Sequence, residues 1–321
     1  MPPLTTTRAP YVAPAARIPL RSRPAAPELV DATRLDPARR PSDPMLAQLR
    51  LVAIPRLAAG GRWRTEAMRA LSEPVLLWFT RGQGRITVAG LTRGYGPNTA
   101  VFIPPGLMHG FEVGAQVFGT AVFFGRGTPL PLPGRGLHLR VRENSAQVEC
   151  NLVLDMIARE LASDRPAKDR AAAAHLLLLS VWLERQAAAQ TADDAPHPAS
   201  ARRLAARFSD LVENHYRSGA GVGAYAAALG VTATHLTRVC RRTTGRGAKD
   251  ILADRAIFEA RRLLEETTLP VQEIGRALGF RSAAYFTRAF RARTGQTPTG
   301  FRANSGTNTG TNTGANTAAR P

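Results

Sequence analysis

Cysteine is almost missing from this chain, with two residues, Cys150 and Cys240, in 321. They lie far apart and in no metal-ligand spacing, which argues against a disulfide framework or a zinc module. Long apolar runs are missing too. The richest, residues 75–79 and 176–179, fall well short of the ~20 residues that a membrane span requires. Residues 1–27 carry prolines and arginines where a secretory signal needs an uninterrupted apolar stretch, so a cytoplasmic protein without a membrane segment is the expectation. Lysine and acid are also scarce. Lys168 and Lys249 are the only lysines among 43 basic residues, and 24 acidic residues leave a formal charge of +19. With 44% hydrophobic residues the chain can build proper cores, so it is no disordered polycation. Its length suits two domains. The basic excess favours a polyanionic partner, nucleic acid first.

The charge is unevenly placed. Residues 45–140 carry +8 and residues 200–302 carry +10, separated by a segment, 141–199, of −3. Nearly all the bases are arginine, whose planar guanidinium suits bidentate contacts with phosphate, carboxylate or guanine. A general arginine bias of the whole chain is the competing reading.

Residues 1–44 hold ten of the 24 prolines and show no periodicity, which predicts a disordered arm. Residues 45–140 show short β-branched and aromatic runs at 75–79, 84–88, 99–103 and 117–124, punctuated by glycine and proline turns. They predict an all-β sandwich or small barrel. Helical spacing follows at 146–162 and 171–189, serving either as cover for the sheet or as a dimer interface. Residues 191–202 read as a linker, 203–302 as all-helical, and 303–321, with its Gly-Thr-Asn-Thr repeat, as a disordered tail.

The most informative feature is an internal repeat. Ala228-Leu-Gly-Val231 recurs as Ala277-Leu-Gly-Phe280. Leu236-Thr-Arg-Val-Cys-Arg recurs as Phe286-Thr-Arg-Ala-Phe-Arg. The second offset exceeds the first by one residue, which places an insertion inside a turn. Each copy reads as a short helix stopped by glycine (Gly230, Gly279) and then a second helix capped by Thr232 or Ser282. Leu236, Val239 and Cys240 face inward in the first copy, as do Phe286, Ala289 and Phe290 in the second. Thr234, Thr237, Arg238, Arg241 and Arg242 face outward in the first; Ala283, Ala284, Thr287, Arg288 and Arg291 do so in the second. This is a helix-turn-helix, twice. Arginine reads guanine O6 and N7, while threonine and alanine methyls press on the thymine methyl. Arg238 and Arg288 are candidate base readers; Arg241 and Arg291, nearer the helix ends, are candidate phosphate contacts. The bland alternative is that all four are solvated helix charges. Ala248–Glu266 joins the copies as one helix, roughly 28 Å long at ~1.5 Å per residue, suited to hold two readers about one DNA turn, ~34 Å, apart.

Glu259-Ala-Arg-Arg-Leu-Leu-Glu-Glu-Thr267, Val271-Gln-Glu-Ile-Gly-Arg-Ala-Leu-Gly-Phe280 and Thr297-Pro-Thr-Gly-Phe-Arg302 carry a specific resemblance. Residues 203–302 resemble the C-terminal DNA-binding domain of AraC/XylS-type bacterial transcription regulators. The resemblance implies promoter DNA and RNA polymerase as partners and activation as the outcome. It also places Thr234, Thr237, Arg238, Ala283, Ala284, Thr287 and Arg288 toward bases. Alanine at 283 and 284, where many relatives are polar, implies a more methyl-directed readout, and Arg281 lengthens the second turn as relatives do.

Residues 45–125 resemble the cupin-type effector domain of such regulators, through Pro104-Pro-Gly-Leu-Met-His109. The form of that turn is most similar to the branch answering 4-hydroxybenzoate and related aromatic acids. A metal-dependent cupin enzyme needs about three histidines and a carboxylate, and His109 stands without them, so neither metal nor cofactor is expected. His109 is either a structural turn residue or an effector contact. Arg62, Arg64, Arg69 and Arg85 are candidate partners for an anionic effector, or plain surface charge. Trp78, with Trp63 and Phe102, lines an aromatic pocket or fills the core. The expectation is a multidomain regulator with an N-terminal all-β cupin-like barrel and following helices that dimerise, then a C-terminal all-α double helix-turn-helix. Its rivals are a cupin enzyme fused to a DNA-binding module and an effector-independent protein that binds nucleic acid by charge.

Overall fold

A computed structural model describes residues 48–59, 61–189 and 198–310. The arm expected at 1–44 and the linker up to residue 197 lie outside the described residues. Among the described residues eight strands come first: β1 (Arg50–Ala53), β2 (Val75–Arg81), β3 (Gly84–Val88), β4 (Leu91–Tyr95), β5 (Thr99–Ile103), β6 (His109–Phe111), β7 (Phe118–Phe123) and β8 (Leu137–Arg140). Two short helices, α1 (Ile54–Leu57) and α2 (Trp63–Glu66), interrupt them. The strands form two antiparallel sheets, one ordered β1-β7-β2-β5-β8 and the other β4-β3-β6. Among the described residues no strand of one sheet pairs with the other. The barrel expected from the sequence is therefore open, a two-sheet sandwich.

The large sheet is apolar on both faces because it is covered on both. Side chains alternate across a strand, and here each set has its own partner. Val75, Leu77, Phe79, Val101, Ile103 and Ala121 pack toward the small sheet, meeting Ile86, Tyr95 and Phe111. Leu76, Trp78, Ala100, Phe102, Val122 and Phe124 pack instead against α3 (Asn144–Ala162) and α4 (Lys168–Ala189), on Cys150, Ile157, Leu176 and Trp182. Helices α3 and α4 are thus cover for the sheet.

The helical half comprises α5 (Ala199–His215), a 3₁₀ turn at Tyr216–Ser218, α6 (Val222–Ala228), α7 (Ala233–Thr244), α8 (Ala248–Glu266), α9 (Val271–Ala277), α10 (Ala283–Thr294) and α11 (Pro298–Gly310). Helix α5 already covers 199–202, taken above for linker, and α11 carries helix past residue 302, where a tail was expected. The two halves touch directly. The Ala89-Gly90 turn of the β3–β4 hairpin has positive φ at both residues, 49° and 73°, the geometry of a two-residue hairpin loop. It is also pressed on α5, since a Cβ on Gly90 would lie 2.7 Å from the Ala205 carbonyl oxygen. Trp63 packs on Phe258 and Phe301, with ring centroids 5.7 and 5.9 Å away, and Arg64 pairs with Glu265 at 2.7 Å.

Candidate nucleic-acid interface

Both repeat copies fold as the local signals require. Gly230 and Gly279 take φ of 71° and 77°, the left-handed region where a side chain is strained. Gly279 has a second constraint: a Cβ there would fall 2.4 Å from the backbone nitrogen of Gly219. The turn of the second copy thereby packs backbone to backbone against the segment leading into the first. Thr232 accepts a hydrogen bond from the His235 amide at 3.1 Å, and Ser282 from the Tyr285 amide at 3.2 Å. Each cap satisfies an amide that the first helical turn leaves unpaired. Beneath α7 lie buried Leu236, Val239 and Cys240; beneath α10, Phe286 and Phe290 are buried and Ala289 half-buried. The longer second turn, Gly279 to Ser282, is where the extra residue resides.

The outward faces are as notable for their missing acids as for their bases. Thr234, Arg238 and Arg241 are exposed on α7 and Thr237 is half-exposed, with Arg242 beside them. Thr234, Thr237, Arg238 and Arg241 border one open groove of ≈ 770 Å³. On α10, Ala283, Ala284, Arg288 and Arg291 are exposed and Thr287 half-exposed. Among the described residues none of these arginines forms an ion pair; Arg238 contacts only the His235 ring, at 3.1 Å. Several of the domain's carboxylates are engaged elsewhere. Glu213 holds buried Arg255 through two contacts of 2.6 and 3.0 Å. Glu259, also buried, meets Arg217, Arg255 and Arg262. Asp254 holds Arg246 and Arg293. Burial alone would raise the Glu259 carboxyl, but the hydrogen bonds from Arg262 and the charges of Arg255, Arg262 and Arg217 pull it down to about 2. Buried Arg255 is thus neutralised by carboxylates, while Arg238, Arg241, Arg288 and Arg291 have none among the described residues.

Two residues escaped the sequence reading as interface candidates. Tyr285, 53% exposed, tilts over Phe280 at the start of α10, and Lys249 joins the groove on α7. An aromatic three residues after a cap was the available signal for Tyr285.

The effector candidates do not converge; Arg69 is buried, its guanidinium donating to the Thr65 carbonyl at 2.9 Å. Trp78 points away from the space between the sheets; its indole donates to Asn151 at 2.8 Å and its ring meets Trp182 edge-on. It fastens helices to sheet and lines no pocket there. His109 is buried, its Nδ1 donating to the Leu107 carbonyl at 2.9 Å while its backbone pairs with Arg69. Burial, and then the Arg69 guanidinium, push its pKa down to about 3, so the ring is held neutral in the interior. Arg62 is paired with Glu66 at 2.6 Å, Arg64 with Glu265, and Arg85 with Glu112 at 2.8 Å. Arg85 and Trp63 border one cleft. Among the described residues no three His, Cys, Asp or Glu side chains gather as metal ligands, and no helix is long and apolar enough to cross a membrane.

Two tethered units, each a short support helix, a glycine turn and a capped second helix, define a helix-turn-helix domain. Residues 225–304 match the family model described as a helix-turn-helix domain. The HTH-type transcriptional regulator GlxA of Rhizobium meliloti is 39% identical over 26% of this chain and 26% of its own length. The arabinose operon regulatory protein of Salmonella typhimurium is 28% identical over 40% of this chain and 44% of its own. The chain thus spans less than half the length of either relative. Among solved structures, the C-terminal domain of AraT, a response regulator from Geobacillus stearothermophilus, is 24% identical, covering 34% of this chain and 88% of that one with a TM-score of 0.31.

Proposed function

We propose that this chain is an AraC-type transcription regulator that binds promoter DNA through α7 and α10 under the control of a small-molecule effector sensed by its β half. The observation that carries the reading is the double helix-turn-helix with unpaired arginines on both recognition faces. Non-specific affinity comes from charge alone, whereas base contacts add discrimination of ~10³-fold or more. Fluorescence anisotropy at fixed salt, with a duplex from upstream of the gene against a scrambled duplex, tests it. A regulator prefers the first strongly; equal affinity leaves only a charge-driven nucleic-acid binder. Activation through RNA polymerase and a cytoplasmic location follow from the AraC-type resemblance.

A homodimer through α3 and α4 belongs to the same proposal. Val148, Leu152 and Met156 stand at four-residue spacing on α3 and are 47%, 59% and 43% exposed, with exposed Leu177 and Leu178 on α4. Such a stripe on one helix face suits a second helix. Light scattering should show Leu152→Glu as monomer and the parent chain as dimer; a monomeric parent chain refutes the interface.

A further inference from the structure

The outer face of the small sheet does not lie flat on the helical domain. Between them is a cleft of ≈ 490 Å³, bordered by Arg85, Thr87 and Thr92 on one side and by Ile257 and Arg261 on the other. That volume is in the range of about 300–1,000 Å³ usual for small-molecule sites. The space between the two sheets, by contrast, is filled: Phe79 stacks on Tyr95 at 3.8 Å and Phe111 stands edge-on to Phe79.

Each carboxylate on the cleft walls already has an arginine. Glu66 is held by Arg62, Glu112 by Arg85, and Asp254 by Arg246 and Arg293. Arg261 is the exception. The charges of Asp254 and Glu265 reach its guanidinium, which lies 5.0 Å from the Trp63 ring centroid, but it forms no ion pair among the described residues, and its Nε is buried with no hydrogen-bond partner. A buried donor left without an acceptor is costly and calls for an explanation. Carboxylates satisfy guanidinium forks well. Trp63, Met68, Phe111 and Ile257 supply apolar wall beside it.

We propose that this cleft binds a small organic carboxylate, the carboxylate on Arg261 and the apolar body against Trp63, Phe111 and Ile257. The site lies outside the sandwich and is built from both halves of the chain. It exists only while the halves are docked, so a ligand there favours the docked state over any undocked one. The control of DNA binding by that shift rests on the regulator reading above; the binding site itself does not.

Isothermal titration calorimetry of the full chain, in buffer free of carboxylate and phosphate, tests the site with benzoate and hexanoate as probes. Benzyl alcohol, hexanol and inorganic phosphate serve as comparisons. At least one acid should bind saturably and its alcohol should not. Arg261→Gln should weaken that binding by about tenfold or more, the loss of a charge-assisted contact. Thr87→Trp, which adds bulk to the opposite wall of the cleft, should abolish it, with the thermal midpoint of both variants near that of the parent. The site is overturned if neither acid binds at millimolar concentration, if Arg261→Gln binds as well as the parent, or if an alcohol or phosphate binds as tightly as the acids. Ligand-free DNA affinity of the same preparations is the separate readout. Absent sequence preference there refutes the regulator reading and leaves the calorimetric result standing.

Discussion

The two helix-turn-helix units share a plan and differ in substance. Both have the left-handed glycine, the hydroxyl cap and a buried i, i+4 pair. Under α7 that pair is Leu236 and Cys240, with the Phe208–Tyr225 contact nearby. Under α10 it is Phe286 and Phe290, continuing a run of rings from Phe280 through Phe301 to Trp63 of the β half. The faces differ in the opposite sense. The α7 face is hydroxylated and dense in arginine, while α10 offers two alanine methyls before Thr287 and Arg288. The first unit presents more hydroxyls and unpaired arginines; the second has the aromatic support and the more apolar leading edge. A repeat conserves its backbone chemistry and lets the packed and presented faces vary.

Substitutions in the two units should separate accordingly. Phe290→Ala removes an aromatic ring from the run and should destabilise by ~3–5 kcal/mol, against ~2–5 for Leu236→Ala. Thermal unfolding that ranks Leu236→Ala as the more damaging would break the comparison. Both units hang from α8, where Glu259→Gln should lower stability by ~3–5 kcal/mol, since removing one partner leaves buried Arg255 poorly compensated. The same residue gives a pH dependence. Its folded pKa of about 2 lies below the ordinary 4.5, so its contribution is complete above pH 4.5 and is lost as pH falls toward 2. Acid unfolding of Glu259→Gln should lose that component; an unchanged profile would show the ion cluster to be unimportant. Next in size, Arg238→Ala and Arg288→Ala should each cost ~1–3 kcal/mol of DNA affinity and relax preference at one base position, each in its own half-site. Weakening that is uniform across sequences would make them phosphate contacts. Smallest, Thr232→Ala and Ser282→Ala should each cost ~1 kcal/mol of stability, by similar amounts because the caps are alike.

What the sequence disclosed follows the range of the forces involved. Caps, glycine turns and the limits of α8 depend on residues within a few positions of one another, and all are legible. So were β3 and β5, with their dense β-branched runs. Strands β4 and β8 were not: Leu91-Thr-Arg-Gly-Tyr95 contains glycine and arginine and forms the edge of its sheet, and Leu137–Arg140 is defined only by pairing with β5. The direction of Trp78 was hidden because residues 75–79 are apolar without alternation, and only the arrival of α3 and α4 decides which face each side chain takes. The pairing of Arg64 with Glu265, 201 positions apart, is likewise a product of the docked halves. Arg62, Arg64 and Arg85 of the β half are occupied by carboxylates, while Arg261, whose buried Nε has no hydrogen-bond partner among the described residues, lies on the other side of the interface.

Selection of bound duplexes from a random library at physiological salt tests the central claim most directly. An enriched motif of two boxes about one helical turn, ~10 base pairs, apart is expected, with Arg238→Ala relaxing preference at one position of one box and Arg288→Ala at one position of the other. A library that emerges unenriched, or a single box blind to both substitutions, would contradict it.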